Sequence, residues 1–192
     1  MKILIVAATE LEVISKRTRD FPVLITGVGM VNTAIQLTKS LIDSKYELIL
    51  NIGIAGSFSE DILIGDVVEV VEDNFSEVGY EEQYKFSKFS DFQIKTSYKV
   101  EGKTNLKKVK GITVNKVHGR LDTINEIKNR IDVDIETMEG ASIFQLSKEF
   151  NIPCMQIRAI SNIVGIRDKD AWDIPLAIEN LNNELEKILD KL

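Results

Sequence analysis

The stretch IETMEGASIFQLSKEFNIPCMQIRAISN, residues 135–162, decides the fold of this chain. From Gly140 to Phe150 the apolar residues recur at three-and-four spacing, which is typical of a helix that packs one face against a sheet. The apolar run from Pro153 to Ser161 indicates a buried strand, which ends in the polar pair Ser161-Asn162. A helix that leads directly into a buried strand is the repeating unit of α/β proteins.

The same alternation extends over the rest of the chain. Further apolar runs indicate buried strands at Lys2–Ala8, Pro22–Thr26, Glu47–Gly53, Asp66–Val71 and Gly111–Val117. Amphipathic helices are predicted over Met30–Ile42 and Pro175–Leu192. We therefore predict a single α/β domain over residues 1–192, a three-layer α/β/α sandwich whose ligand site lies at the carboxyl ends of its strands. The polar stretch Phe75–Val109 is expected to form extended strands and loops that flank this site.

The composition excludes several classes of protein. The chain has 192 residues, of which 44% are hydrophobic and 28% charged, and its net charge is −6. Neither a disordered chain nor a nucleic-acid-binding protein is expected, and the lysines from Lys103 to Lys110 are predicted to lie on a solvated turn. We recognise no secretory signal and no membrane span, and expect a cytoplasmic protein. With one cysteine and one histidine, we expect no intrachain disulfide, metal site or cofactor.

The pair Met138-Glu139 has the chemistry of a ribose clamp. A carboxylate can accept hydrogen bonds from two neighbouring hydroxyl groups, and a thioether can cover the apolar face of a sugar ring. A structural explanation competes for Glu139, because the helix dipole stabilises a carboxylate in the first turn. Glu12 also has a structural explanation, since Thr9-Glu10-Leu11-Glu12 fits a capping box in which Glu12 reaches back to the Thr9 amide.

Two turns of small residues each follow a strand. The turn Thr26–Asn32 departs from the dinucleotide-binding fingerprint, because Asn32 stands in place of the third glycine. The turn Asn51–Ser57 lacks the lysine of a P-loop, but its glycines allow a ligand to approach the backbone closely. Together the turns are more typical of the floor of a pocket than of a pyrophosphate site.

These segments together resemble the nucleoside phosphorylase and nucleosidase superfamily. The resemblance rests on Met1–Val13, Gly27–Val31, Asn51–Gly56, Glu136–Ala141 and Arg158–Ser161, which cover most of the chain in order and spacing. The segments that look like the futalosine hydrolase branch are Gly53–Phe58, Ile160–Asn162 and Trp172–Ile178. The resemblance implies a nucleoside phosphorylase-like fold with a twisted, mixed central sheet.

The resemblance also implies an activity, which is hydrolysis of a ribosyl carbon–nitrogen bond. The substrate would be futalosine, which releases hypoxanthine, or aminodeoxyfutalosine, which releases adenine, in menaquinone biosynthesis. Glu12, which would position the attacking water, and Asn162 are the candidate catalytic residues. The candidate substrate-binding residues are Ile54, Ala55, Gly56, Phe75, Met138, Glu139 and Ser161. The implied partners are the nucleoside, water and further copies of the chain in a homo-oligomer; roles for His118, Trp172 and Arg158 are left open.

Residue chemistry favours hydrolysis over phosphorolysis. Phosphorolytic relatives typically carry arginine where this chain has Asn51 and serine where it has Ile54, and here Glu10 and Glu12 would repel phosphate. Asn162 departs from the methylthioadenosine branch, whose aspartic acid protonates the leaving base, because an amide cannot give up a proton. A methylthioadenosine nucleosidase and a non-catalytic nucleoside-binding relative stay open as alternatives.

Overall fold

A mixed sheet with helices on both faces forms the centre of the molecule. The computed structural model describes residues 1–83, 85–89, 91–165 and 169–192. The strands are β1 (Ile3–Ala7), β2 (Val23–Ile25), β3 (Leu48–Ser57), β4 (Val67–Phe75), β5 (Tyr80–Glu82), β6 (Lys85–Ser87), β7 (Ser97–Lys99), β8 (Lys107–Thr113), β9 (Ile135–Thr137) and β10 (Cys154–Ile163). The helices are α1 (Met30–Asp43), α2 (Leu121–Arg130), α3 (Gly140–Glu149) and α4 (Ile174–Leu189), with short 3-10 turns at Glu10–Glu12, Lys16–Asp20 and Lys169–Ala171.

The main sheet closes on itself around β3. Its strand order is β10-β4-β8-β9-β3-β1-β2, β10 also pairs with β3, and β7 pairs with β4. Strands β1, β2, β3 and β10 run parallel, whereas β4 is antiparallel to β10 and β9 is antiparallel to β3. The closure gives Gly56 of β3 two neighbours in register, Glu136 of β9 and Asn162 of β10.

Two hydrophobic cores lie on opposite faces of this sheet. In β1, Leu4 and Val6 face one core, and Ile3, Ile5 and Ala7 face the other, as the alternation of side chains along a strand requires. Helices α1 and α3 cover the first face with Leu37, Leu41, Ile143 and Phe144, and α4 covers the second with Ala177, Leu181 and Leu185. The predicted three-layer α/β/α arrangement with a mixed sheet is therefore confirmed.

Some element boundaries differ from those predicted. The strand expected over Gly111–Val117 is β8, which begins at Lys107 and ends at Thr113. The lysine-rich segment is thus partly strand and not a turn, and Lys108 Nζ lies 2.6 Å from the buried carboxylate of Glu69. Within the described ranges, none of the helices combines the length and the hydropathy that a membrane span requires.

Candidate active site

A cavity of about 310 Å³ lies at the carboxyl ends of β1, β3 and β10. Most of the residues predicted to form the site line it: Glu12, Ile54, Ala55, Gly56, Met138, Glu139, Ser161 and Asn162. Phe75 is not among the lining residues. Its ring packs edge-on against Tyr98, with ring centroids 6.0 Å apart, and contacts the core beneath α1 and α3.

Glu12 ends the 3-10 turn Glu10–Glu12 and is buried. Its Oε2 accepts a hydrogen bond from the Thr9 backbone N–H at 2.8 Å and lies 3.2 Å from Thr9 Oγ1, so the carboxylate does reach back as in a capping box. Its Oε1 faces Gly53, where an added Cβ would stand only 3.0 Å away. The capping bond thus uses one oxygen and leaves the other for a further partner.

Glu139 is the residue immediately before α3 and is held by the turn before α1. Its Oε1 accepts a hydrogen bond from the Gly29 N–H at 2.8 Å, and Gly29 has a φ of 96°, a conformation that favours glycine. Burial raises the pKa of Glu139, the Gly29 bond and the charge of Arg158 oppose this rise, and the negative charge of Glu12 adds to it. The two glutamates therefore influence each other electrostatically.

Arg158 lies beneath the cavity and is almost completely buried. Its Nη2 donates to Asn51 Oδ1 at 2.5 Å, and its Nη1 donates to the Ile157 carbonyl at 3.0 Å. Burial lowers the pKa of Arg158, while the carboxylates of Glu139, Glu12 and Asp73 raise it. The guanidinium thus supplies a positive charge that partly offsets the acidic groups above it.

The end of β10 carries Ser161 and Asn162 into the cavity. The register of β10 against β3 shifts between Ile160 and Asn162, which is a bulge of the kind that redirects side chains at strand ends. Ser161 Oγ lies 2.9 Å from Asn162 Oδ1, so the amide oxygen has a donor within the protein. The Asn162 amide nitrogen lies above Gly56, 3.0 Å from where a Cβ would be. It can donate a hydrogen bond to a ligand but cannot supply a proton.

Glu136 is a lining residue to which the sequence reasoning gave no role. Its Oε1 accepts from the His118 backbone N–H at 3.0 Å, and its Oε2 lies 2.7 Å from His118 Nδ1. No pattern in the sequence pointed to this contact, because β9 is only three residues long and His118 lies 18 residues away, so only the fold brings the two together. His118 itself is not among the lining residues of this cavity.

An apolar wall completes the cavity. It comprises Leu11, Val28, Val117, Trp172, Ile174 and Ile178. The sequence did not predict that these residues belong to the site, except that a role for Trp172 was left open. The segment before α4 is fixed to β10, because the Asp173 N–H donates to the Ser161 carbonyl at 2.8 Å. Asp173 Oδ1 in turn accepts from the Leu176 N–H at 3.0 Å and caps the helix.

The charged groups that line the cavity are all acidic. Among the described residues of the lining, Glu12, Glu136 and Glu139 carry carboxylates, and there is no lysine, arginine or histidine. A ligand with several hydroxyl or N–H donors suits such a surface better than a free anion does.

Comparison with known proteins shows the family to which this chain belongs. The sequence profile of the Phosphorylase superfamily matches residues 19–192. A 5′-methylthioadenosine/S-adenosylhomocysteine nucleosidase from Desulfotalea psychrophila is 31% identical over 151 residues, which cover 72% of this chain and 64% of that protein. The futalosine hydrolase of Thermus thermophilus is 26% identical over 183 residues, which cover 88% of this chain and 81% of that protein.

Solved structures share the fold at low sequence identity. The futalosine hydrolase of Helicobacter pylori matches with a TM-score of 0.86 at 15% identity, over 100% of this chain and 98% of that one. A mutant methylthioadenosine nucleosidase of the same organism, with 5′-methylthioadenosine in its active site, matches with a TM-score of 0.85 at 17% identity, over 100% of this chain and 99% of that one.

Proposed function

Because the chain belongs to the phosphorylase superfamily, we propose that it hydrolyses the N-glycosidic bond of a purine nucleoside. The observation that carries this proposal is the acidic lining of the cavity, with three glutamates and no cationic side chain among its described residues. A phosphate co-substrate would be repelled by these carboxylates, whereas water would not. Hydrolysis is therefore favoured over phosphorolysis.

The reaction assigns separate roles to the two glutamates at the sugar. Glu139 would accept hydrogen bonds from the ribose hydroxyls while Met138 covers the ring. As the bond between the anomeric carbon and the base nitrogen breaks, its electron pair leaves with the base and the sugar becomes a cation that the carboxylates stabilise. Water bound to Glu12 then attacks the anomeric carbon and passes its proton to the carboxylate.

The departing base requires compensation for its negative charge. Two alternatives are open. In the first, the Asn162 amide would donate a hydrogen bond to the purine ring while water or another group supplies the proton. In the second, the base leaves with its charge only partly neutralised.

For the substrate we propose a futalosine-type nucleoside. Two features support this: an asparagine at the strand end, and likeness to a futalosine hydrolase over most of both chains. The apolar wall formed by Leu11, Trp172 and Ile174 would cover an aromatic 5′ substituent. Methylthioadenosine is the second candidate substrate, for two reasons. The methylthioadenosine/adenosylhomocysteine nucleosidase of Desulfotalea psychrophila is 31% identical to this chain, and a thioether would also fit an apolar wall.

A base-release assay tests the proposed function. The protein would be incubated with futalosine, aminodeoxyfutalosine, methylthioadenosine and inosine, with and without phosphate, and the free base would be measured. We expect release from a futalosine-type substrate without phosphate. Release only in the presence of phosphate would contradict the hydrolase, and release from methylthioadenosine alone would assign the second candidate.

We further propose that the enzyme is a homo-oligomer of two or more copies. Leu11 and Val28, which line the cavity, are 72% and 49% exposed, and Val31 and Ile35 of α1 are 68% and 45% exposed. A second copy that covered this apolar surface would also shield the mouth of the cavity from water. Light scattering should report at least twice the 21.6 kDa mass of the chain.

A further inference from the structure

Helix α4 carries a row of side chains at four-residue spacing: Ile174, Ile178, Asn182 and Glu186. The first two, Ile174 and Ile178, line the cavity. Further along the helix, Asn182 and Glu186 bind the chain segment that follows Glu12. The same row of α4 therefore contacts both the cavity and the chain behind the proposed water-binding carboxylate.

Asn182 is buried, with 4% of its surface exposed, and its amide makes four hydrogen bonds. Its Oδ1 accepts from the Ile14 and Ser15 N–H groups, each at 3.0 Å. Its Nδ2 donates to the Glu12 carbonyl at 3.1 Å and to the Ile178 carbonyl at 2.8 Å. Because a primary amide has two donor hydrogens and an oxygen that accepts twice, these bonds use its full capacity.

The segment that Asn182 binds has no helix or strand of its own. The 3-10 turn ends at Glu12, and residues 13–15 have no regular secondary structure. Buried backbone groups in such a segment need partners from elsewhere, and α4 supplies them. The Thr9 N–H holds the Glu12 carboxylate from the other side, at 2.8 Å. Glu12 is thus fixed by Thr9 before it in the chain and by Asn182 after it.

Helix α4 is itself a fixed support for Asn182. Three fully buried residues pack its apolar side into the core on the second face of the sheet: Ala177, Leu181 and Leu185. Asn180 Nδ2 also donates to the Gly65 carbonyl at 2.7 Å. The packing of the whole helix therefore determines where the Asn182 amide lies.

We propose that Asn182 is a positioning residue that sets the place of the Glu12 carboxylate and, with it, of the attacking water. The inference rests on the proposed function, since it requires Glu12 to orient water. Asn182 is not among the residues that line the cavity, so it acts on the reaction through the backbone of Glu12. A displacement of about 1 Å at a catalytic group can cost about 100-fold in rate.

The kinetics of Asn182→Ala test this role. Base release would be measured with futalosine, or with methylthioadenosine if the wild type hydrolyses only that nucleoside. We expect kcat to fall by about 10- to 100-fold and KM to change by less than about threefold, because the lining of the cavity is unchanged. Asn180→Ala is the matched control, since it removes an asparagine of the same helix that binds Gly65 and not Glu12. It should keep the wild-type kcat.

A double-mutant cycle with Glu12→Gln separates positioning from general damage to the fold. If Asn182 acts through the Glu12 carboxylate, Asn182→Ala should lower kcat by no more than about threefold in the Glu12→Gln background. Damage to the fold would instead lower kcat by the same factor in both backgrounds. If Asn182→Ala does not fold, as judged by circular dichroism, Asn182→Ser takes its place with the same expectations. Its hydroxyl can bond back to the Ile178 carbonyl and keep one polar contact in the helix.

The outcomes separate this inference from the proposed function. If the wild type releases base and the substitution leaves kcat unchanged, or lowers it equally in both backgrounds, the inference is wrong, while the nucleosidase stands. A rise in KM at constant kcat would also overturn the inference. If the wild type releases no base from futalosine, aminodeoxyfutalosine, methylthioadenosine or inosine, both the proposed function and the inference are wrong.

Discussion

Glu12 shows how one carboxylate can meet a structural and a catalytic requirement together. The Thr9 N–H occupies Oε2, whereas Oε1 lies above Gly53. A methyl group at position 53 would stand 3.0 Å from this oxygen and displace it, which accounts for a glycine there. The capping box and the proposed water-binding role are therefore compatible, and only a substitution that spares one of them can separate them.

Glu12→Gln makes that separation. Glutamine also serves in a capping box, so we expect the midpoint of thermal unfolding to change little. It cannot take a proton from water at neutral pH, so the rate of base release should fall by about 10²–10⁴-fold. Steady-state kinetics and calorimetry on the same preparation check both expectations.

The control for this variant is Glu10→Gln, which changes an exposed glutamate in the same turn. It should retain full activity. If Glu12→Gln hydrolysed its substrate normally but unfolded at a lower temperature, the carboxylate would be a cap and nothing more.

Asn162→Ala tests the other candidate catalytic residue. The substitution removes the amide donor above Gly56 but no charge, so we expect base release to slow by at least about tenfold, the loss expected for one buried hydrogen bond. Turnover of the preferred substrate would be measured at saturation. A variant with the full wild-type rate would exclude both proposed roles of Asn162 in leaving-group departure.

The start of α3 rests on a buried polar cluster. Asp73 Oδ1 accepts from Thr113 Oγ1 at 2.8 Å, and its Oδ2 accepts from Gln156 Nε2 at 2.8 Å. Thr113 Oγ1 in turn accepts from the Ala141 N–H at 2.7 Å, in the first turn of the helix. The cluster thus ties α3, and with it the Met138-Glu139 segment, to β4, β8 and β10.

Gly140→Ala should break this contact. A Cβ at Gly140 would stand 2.1 Å from Asp73 Oδ2 and 2.5 Å from Gln156 Nε2, so the helix or the cluster must shift. We expect the free energy of unfolding to fall by about 1–3 kcal/mol, as for other overpacked sites. Urea unfolding measures it. Gly165→Ala serves as the control, since an added Cβ there meets no atom of the described residues within 4 Å.

Sequence periodicity predicted those elements that have enough residues to show a pattern. The predicted helix over Met30–Ile42 is α1 (Met30–Asp43), and the closing helix predicted to begin at Pro175 is α4 (Ile174–Leu189). Helix α2 was not predicted, because its chain is strongly polar and only Ile124 and Ile127 are buried. Strand β9 is three residues long, too short for any alternation to be recognised.

Those residues of the cavity that lie in recognisable sequence patterns could also be predicted. Its residues at strand ends follow recognisable small or polar turns, so Gly56 and Asn162 were expected there, and they do line it. Phe75 was also expected there, but it packs against Tyr98. An aromatic residue at a strand end can be buried in a core as readily as it can line a pocket. Glu136 was missed because its partner, His118, is distant in sequence and only the fold brings the two together.

Among the described residues, Arg158 is a buried cation whose charge acts on several carboxylates at once. Arg158 has no carboxylate within ion-pair distance among the described residues, yet Glu139, Glu12 and Asp73 all interact with it electrostatically. Among the residues that the structure describes, no cation lies within ion-pair distance of Asp73, and burial raises its pKa from 3.8 to about 6. The ionised form of this residue therefore opposes folding at neutral pH.

The sign of the resulting pH dependence follows from linkage. Between pH 3.8 and about 6 the folded chain holds a proton on Asp73 that the unfolded chain has lost, so stability falls as the pH rises through this window. Asp73→Asn removes the titration, and Gln156, whose Oε1 has no hydrogen-bond partner in the described part of the chain, can rotate its amide to accept from the new one. The stability of the wild type relative to this variant should fall by about 2 kcal/mol between about pH 4.5 and 7.5. Urea unfolding of both proteins at the two pH values measures the difference, and parallel pH profiles would show that Asp73 ionises as freely in the folded chain as in the unfolded one.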